Sequence, residues 1–241
     1  MSYERSAAYY DLFGAKDDGA FLADVASRTG GPVLAAAAGT GREALPLAEA
    51  GFDVLAFDAS AAMLAAAAAK VAGRKLGPRV RLVRADARRF HFRRRFPLVL
   101  AVNLFDHFVA DGDAAALLRH AKVHLAPGGR VVVNASTTGW RPPARATVEE
   151  RALGDGRRVT RQVKYSPTTR RNVYAVELWF DVWQGDLRLE RMLERTEVRL
   201  FRPDEMRRFA AGVGLTVENV YGDFAASPFA AGDEQAVYVL K

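Results

Sequence analysis

The chain has 241 residues, of which 50% are hydrophobic and 26% charged, the usage of a folded globular protein and not of a disordered tract. It contains no cysteine, which excludes disulfide frameworks, thiolate metal sites and cysteine nucleophiles. Its 35 Lys+Arg against 28 Asp+Glu give a formal net charge of +7, but the basic residues are mostly arginine beside abundant alanine, the bias of a GC-rich genome, which raises charge without any polyanionic partner.

No apolar run reaches the roughly 20 residues that cross a bilayer; the longest, Ala61–Ala69 and Pro97–Leu104, are far shorter. The opening MSYERSAAYYDLF carries acids and tyrosines where a secretion signal carries a basic and then an apolar segment. The expectation is a cytoplasmic protein that does not use a membrane.

The first half alternates strand and helix. Val33–Ala37 is a short apolar run, followed by Gly39-Thr40-Gly41 and a helical stretch from Arg42 to Ala50, which Gly51 closes. Phe52–Phe57 predicts a second strand, Ser60–Val71 a helix ended by Gly73, and Val80–Val83 and Leu98–Val102 two more strands. Ala114–His124 predicts an amphipathic helix, and Pro127-Gly128-Gly129 turns the chain into a strand at Arg130–Asn134. Buried strands joined by helices predict an α/β fold, a doubly wound and mostly parallel sheet of seven strands.

After Trp140 the pattern changes to period-two alternation at Ala144–Arg151, Arg157–Lys164, Asn172–Trp183 and Leu187–Leu200, separated by turn signals such as Gly154-Asp155-Gly156. This predicts an antiparallel β insertion over 141–201, between the fifth strand and the last helix, within a single domain spanning 1–241. Pro203 starts the last helix, and strands near Leu215–Tyr221 and Gln235–Leu240 return to the main sheet.

In such a sheet ligands bind beyond the carboxyl ends of the strands, at the switch point. Three features converge there. The loop Ala37-Ala38-Gly39-Thr40-Gly41 lets backbone approach a ligand and precedes the free N–H groups of a helix, although a short Gly-x-Gly also serves as a plain strand-to-helix turn. Asp58 ends the second strand and can accept both hydroxyls of a ribose, or cap the helix beginning at Ser60. Asp86 follows the third strand and can accept the amino group of adenine, or pair with Arg84, Arg88 or Arg89. Gly39–Ala44 also fits the dinucleotide pattern G-x-G-x-x-A, so the remainder of the chain must separate the two readings.

VLAAAAGTGR (33–42), VLAFDASAAML (54–64), VRLVRADARRF (80–90), FPLVLAVNLFDHF (96–108), HLAPGGRVVV (124–133) and YGDFAASPF (221–229) together resemble the successive motifs of class I S-adenosylmethionine-dependent methyltransferases, with the bacterial small-molecule N- and O-methyltransferases as the nearer subgroup. The resemblance implies S-adenosyl-L-methionine as cofactor, S-adenosyl-L-homocysteine as product, and a small-molecule acceptor methylated at nitrogen or oxygen. It implies contacts to the methionine part from Ala37, Ala38, Gly39 and Asn103. Asp58 would take the ribose, Ala59 and Met63 the adenine face, and Asp86 and Ala87 its edge. Tyr10, with Tyr9 as the lesser candidate, matches the tyrosine that closes over the site in relatives; both also suit simple packing. Ala35 stands where the family usually has an acid, which points to a weakened cofactor site or a binding protein without catalysis. Ala37 replaces a glycine, a mild change provided its φ is negative.

His107, just beyond the fourth strand, is the candidate base, with an ordinary pKa near ~6.5 suited to proton uptake at neutral pH; Asp106 would orient or replace it. Trp140, Tyr165, Trp179 and Tyr221 are candidates for the acceptor wall, although alternating aromatics often form core. The run Arg88-Arg89-Phe90-His91-Phe92-Arg93-Arg94-Arg95 interleaves aromatics with arginines and makes an RNA-modifying methyltransferase the alternative reading, with nucleic acid the disfavoured partner. No metal is expected, and the chain is expected to act as a monomer or homodimer.

Overall fold

A computed structural model of the chain describes residues 3–14 and 18–241. A 3-10 helix at Ala7–Phe13 leads to α1 (Gly19–Thr29), then β1 (Val33–Ala36), α2 (Ala44–Glu49), β2 (Val54–Asp58), α3 (Ala61–Gly73), β3 (Val80–Arg84) and β4 (Phe96–Ala101). A second 3-10 turn at Phe105–His107 precedes α4 (Asp111–His124) and β5 (Leu125–Ser136). The second half contains β6 (Thr147–Ala152), β7 (Arg158–Pro167), β8 (Val173–Gln184), β9 (Leu187–Arg199), α5 (Pro203–Gly212), β10 (Val217–Tyr221) and β11 (Gln235–Leu240).

All four residues of β1 are buried, as a strand covered by helices on both faces must be. Leu34 and Ala36 face the core under α4 and α5; Val33 and Ala35 face the core under α1 and α2. β1 pairs in parallel with β2 on one side and with β4 on the other, in the seven-stranded order β10-β11-β5-β4-β1-β2-β3. The strand order therefore reverses beside β1, and a crevice opens at the carboxyl ends of β1 and β4. β11 runs antiparallel to β5, which makes the sheet mixed but mostly parallel.

Two local differences from the sequence expectations have physical causes. β5 begins at Leu125, directly after α4, because Pro127-Gly128-Gly129 is absorbed as an irregularity in the pairing with β4. A Cβ on Gly129 would lie 2.7 Å from the Pro97 carbonyl oxygen, so only glycine lets the strands pair through this point. α2 is shorter than expected at its start because the residues after Gly39 turn before they coil, and Pro46 sits in its first turn, where no backbone donor is lost.

Strands β6 to β9 form a separate antiparallel sheet in simple sequential order. One face of it packs Val159, Phe180, Val182 and Met192 against Phe13 of the opening 3-10 helix. The other carries cross-strand ion pairs, among them Asp181 with Arg191 at 2.7 Å and Glu177 with Arg195 at 3.1 Å. Among the described residues, no helix is long and apolar enough to cross a membrane.

Candidate functional site

The loop after β1 makes one wall of the crevice. It turns so sharply that Ala37 (φ 51°), Gly39 (φ 54°) and Gly41 (φ 87°) all lie in the left-handed region. The expectation of a negative φ at Ala37 is thereby corrected: the alanine accepts a conformation that costs an L-residue about 1–2 kcal/mol. Ala38 is buried and donates its N–H to the Phe57 carbonyl at 3.0 Å, fixing the loop to β2.

Asp58, at the end of β2, fastens two loops at once. Its Oδ2 accepts the Gly39 N–H at 2.9 Å and its Oδ1 accepts the Ser60 N–H at 2.8 Å. A carboxylate has about four acceptor sites, so two remain for a diol. Ser60, and not Asp58, caps α3, its side chain accepting from the Met63 N–H at 3.1 Å.

Asp86 lies at the rim in the grip of Arg88, whose Nε, Nη2 and main-chain N–H donate to it at 3.0, 2.7 and 2.9 Å. The side-chain hydrogen bond from Arg88 is the main reason that its carboxyl is pulled down to about 2. Asp86 thus both pairs with arginine and lines the crevice, with its carboxylate charged and oriented.

These groups enclose a cavity of about 290 Å³ lined by Ala37, Gly39, Asp58, Ala59, Met63, Asp86, Ala87 and Asn103, with Tyr10 and His107 on the same surface. Sequence reasoning missed several other members of that wall: Tyr3, Leu104, Phe108, Val109 and Thr196. Tyr3 and Tyr10 meet at 5.4 Å between ring centroids, and burial pushes both hydroxyls up. Tyr9 instead packs against the Phe13–Phe180 cluster, which decides between the two tyrosines. The opening segment is tied over the cavity at several points. Glu4 accepts the Ala61 and Ala62 N–H groups at the start of α3 (3.1 and 3.0 Å), where the helix dipole favours an acid. Asp11 accepts from Thr40 at 2.6 Å and from Lys70 at 2.8 Å.

His107 lines the cavity with Nδ1 buried and without a partner among the described residues. Burial lowers its pKa to about 4, while a hydrogen bond with the Glu197 main chain pulls the other way. The expected ordinary basicity is corrected accordingly: the ring is neutral throughout the neutral range. Asp106 faces elsewhere. Its carboxylate accepts the Ser136 N–H at 2.7 Å and the Ser136 hydroxyl at 2.6 Å, holding the 3-10 turn to the end of β5.

The four aromatic candidates separate. Trp140 and Tyr165 meet edge-on at 5.1 Å, and Trp140 lines a second, more open hollow of about 690 Å³ with Asp223 and Phe224. Tyr221 packs on Phe21 of α1, 5.5 Å between rings, away from the main cavity. Trp179 alternates with Leu178 and Phe180, which face Phe13, and so belongs to the outer face of the four-stranded sheet. In the basic run, Phe90 is buried and packs with Phe92 on Phe57, so the aromatics between the arginines are core and not a stacking surface; Arg93, Arg94 and Arg95 are exposed.

Residues 33–129 match the methyltransferase-domain family. A cypemycin N-terminal methyltransferase from a Streptomyces species is 32% identical over 219 residues, covering 88% of this chain and 83% of that protein. Among solved structures, the CcbJ methyltransferase from Streptomyces caelestis aligns with a TM-score of 0.82 at 24% identity, over 99% of this chain and 96% of that one. The sugar N-methyltransferase KedS8 from Streptoalloteichus sp gives a TM-score of 0.77 at 21% identity, over 96% and 91% of the two chains.

Proposed function

Because the chain belongs to the class I S-adenosylmethionine-dependent methyltransferases, we propose that it methylates an amine nitrogen of a small-molecule or peptide acceptor presented beside His107 and Tyr10. The observation that carries this reading is the cavity wall that His107 shares with Ala37, Gly39, Asp58 and Asn103, its Nδ1 buried and without a partner among the described residues. Nitrogen is preferred over oxygen because the relative sharing 32% identity is named for N-terminal methylation and KedS8 for sugar N-methylation.

The residues present fit the cofactor chemically: Asp58 has acceptor sites left for a ribose, and Asp86, already charged and oriented by Arg88, can take an amino group at the adenine edge. When bound, the cofactor supplies an electrophilic methyl group. The chain contributes position and a dry environment, effects worth up to about 7–11 kcal/mol in favourable cases. Transfer forms an N–C bond on the acceptor, breaks the S–C bond of the donor, and leaves the nitrogen with one proton too many. A neutral His107 beside the acceptor offers a hydrogen-bond acceptor that can aim the lone pair of an incoming neutral amine, and the proton left on the methylated nitrogen departs to solvent with the product. Tyr3 and Tyr10, held in their un-ionised form by burial, close the same space against water.

Incubation with the cofactor and matched acceptor pairs tests this: peptides with free and acetylated N-termini, and amino sugars beside their hydroxyl counterparts, read by mass spectrometry. Methylation confined to free amines supports the proposal. Methylation of the hydroxyl compounds alone would reassign the acceptor atom, and turnover of RNA with no small-molecule product would favour the arginine-rich surface.

A further inference from the structure

Two carboxylates lie where no catalytic step uses them. Asp18 and Glu43 are 1% and 6% exposed, among the most buried acids in the chain. Asp18 precedes α1 and Glu43 precedes α2, so both approach the crevice from the helical layer that Ala35 faces; β1 itself, Val-Leu-Ala-Ala, brings no charge. They meet at one side chain: Asn103 donates from Nδ2 to Asp18 Oδ2 and to Glu43 Oε1, at 3.4 Å each. Glu43 also accepts from Arg42 Nε and Nη2 at 3.3 Å. Burial pushes the Glu43 carboxyl up, Arg42 pulls it back and Asp18 adds to the rise; burial alone would lower Arg42, but Glu43, Tyr10 and Asp18 around it hold it above its ordinary range.

Asn103 is a cavity-lining residue with a left-handed backbone, φ 55°, which a non-glycine residue keeps only when its surroundings over-determine it. Asn134 supplies the other half of that constraint: its Oδ1 accepts the Asn103 N–H at 2.6 Å and its Nδ2 donates to Asn103 Oδ1 at 3.3 Å. The side chain of Asn103 is thus pinned between an amide on β5 and two carboxylates behind the wall.

We infer that Glu43 and Asp18 are positioning residues for the amino-acid end of the cofactor. They hold Asn103 against the cavity and place negative potential behind it, where a bound ammonium gains from it. This rests on the cofactor reading above. At an effective dielectric near ~20, one unit charge acting on another beyond contact range is worth about ten- to thirtyfold in affinity. It acts only on a ligand that carries the ammonium.

The test compares two ligands by isothermal titration at pH 8: S-adenosylmethionine, and 5′-methylthioadenosine, which has the nucleoside and sulfur but no amino acid. Glu43→Gln should weaken S-adenosylmethionine about ten- to thirtyfold and leave methylthioadenosine within twofold; Asp18→Asn should act in the same sense, which keeps the test alive should Glu43→Gln fold poorly. Asp58→Ala, by contrast, should weaken both ligands. Unchanged S-adenosylmethionine affinity in both carboxamide variants overturns the inference, as does parallel loss of both ligands, which signals a structural role only. Wild-type protein that binds neither ligand overturns the cofactor reading first and this inference with it.

Discussion

Replacing Ala37 with glycine should stabilise the protein, although it deletes a methyl group beside the crevice. The left-handed φ of 51° costs an alanine about 1–2 kcal/mol that glycine does not bear. Glycine's greater freedom in the unfolded chain takes back about 0.4–1 kcal/mol. The Ala37 methyl is half-buried on the cavity wall, so its removal forfeits only part of the ~0.8 kcal/mol of a fully buried methylene. The balance is a gain of about 0.5 kcal/mol, and for a domain of this size about 1–2 °C in Tm. The adjacent Ala36→Gly reverses the sign: that methyl is buried inside β1, where glycine loses both packing and strand entropy, at a cost of about 1–2 kcal/mol. Urea unfolding of both variants beside wild type, checked by calorimetry, reads the two signs directly. Destabilisation of Ala37→Gly to the same extent as Ala36→Gly would refute the strain argument, because packing alone would then account for both.

Other outcomes follow from the same geometry. Burial keeps His107 neutral at about 4 against its ordinary 6.5, so as pH falls the unfolded chain takes the proton first. Its stabilising contribution is therefore complete above about 6.5 and is lost on the way down to about 4; the urea midpoint of wild type should fall more steeply over that window than that of His107→Gln, and identical slopes would show that the ring is not desolvated. His107→Ala should slow turnover of an amine acceptor by about 10²-fold with cofactor affinity unchanged, the split expected of a group that positions only the acceptor; full retained turnover would remove it from the mechanism. Replacing Arg93, Arg94 and Arg95 together by serine should leave small-molecule turnover within twofold and flatten any salt dependence of RNA binding; loss of turnover would mean that this exposed surface serves the acceptor.

Much of the architecture was legible because the strands at the middle of the main sheet are short apolar runs, such as Val33–Ala36 and Phe96–Ala101, or Val54-Leu55-Ala56-Phe57 closed by Asp58. Period and punctuation locate such elements without knowledge of their neighbours. Direction is harder. Alternation says that Trp179 and Phe180 face opposite sides, but only the docking of Phe13 on Phe180 says which side is inward. Asp106 and His107 are adjacent, and which one enters the cavity depends on the distant Ser136, whose N–H and hydroxyl capture Asp106. The φ of Ala37 was invisible for a similar reason, since an alanine gives no sign of a conformation that glycine usually supplies. Asp18, Glu43, Asn103 and Asn134 form one network from four separate parts of the chain, and no spacing in the sequence announces it. Asn134, a polar residue after three valines in β5, was the one available sign.

On the proposed function, Asp58 and the loop it fastens hold the nucleoside of S-adenosylmethionine. Isothermal titration of the wild type and of Asp58→Ala with S-adenosylmethionine, with NAD titrated as the competing dinucleotide, tests it most directly. One cofactor per chain, an affinity weakened well over tenfold by the substitution, and no heat from NAD are the predicted results. Equal affinity in both proteins, or binding of NAD in place of S-adenosylmethionine, would contradict it.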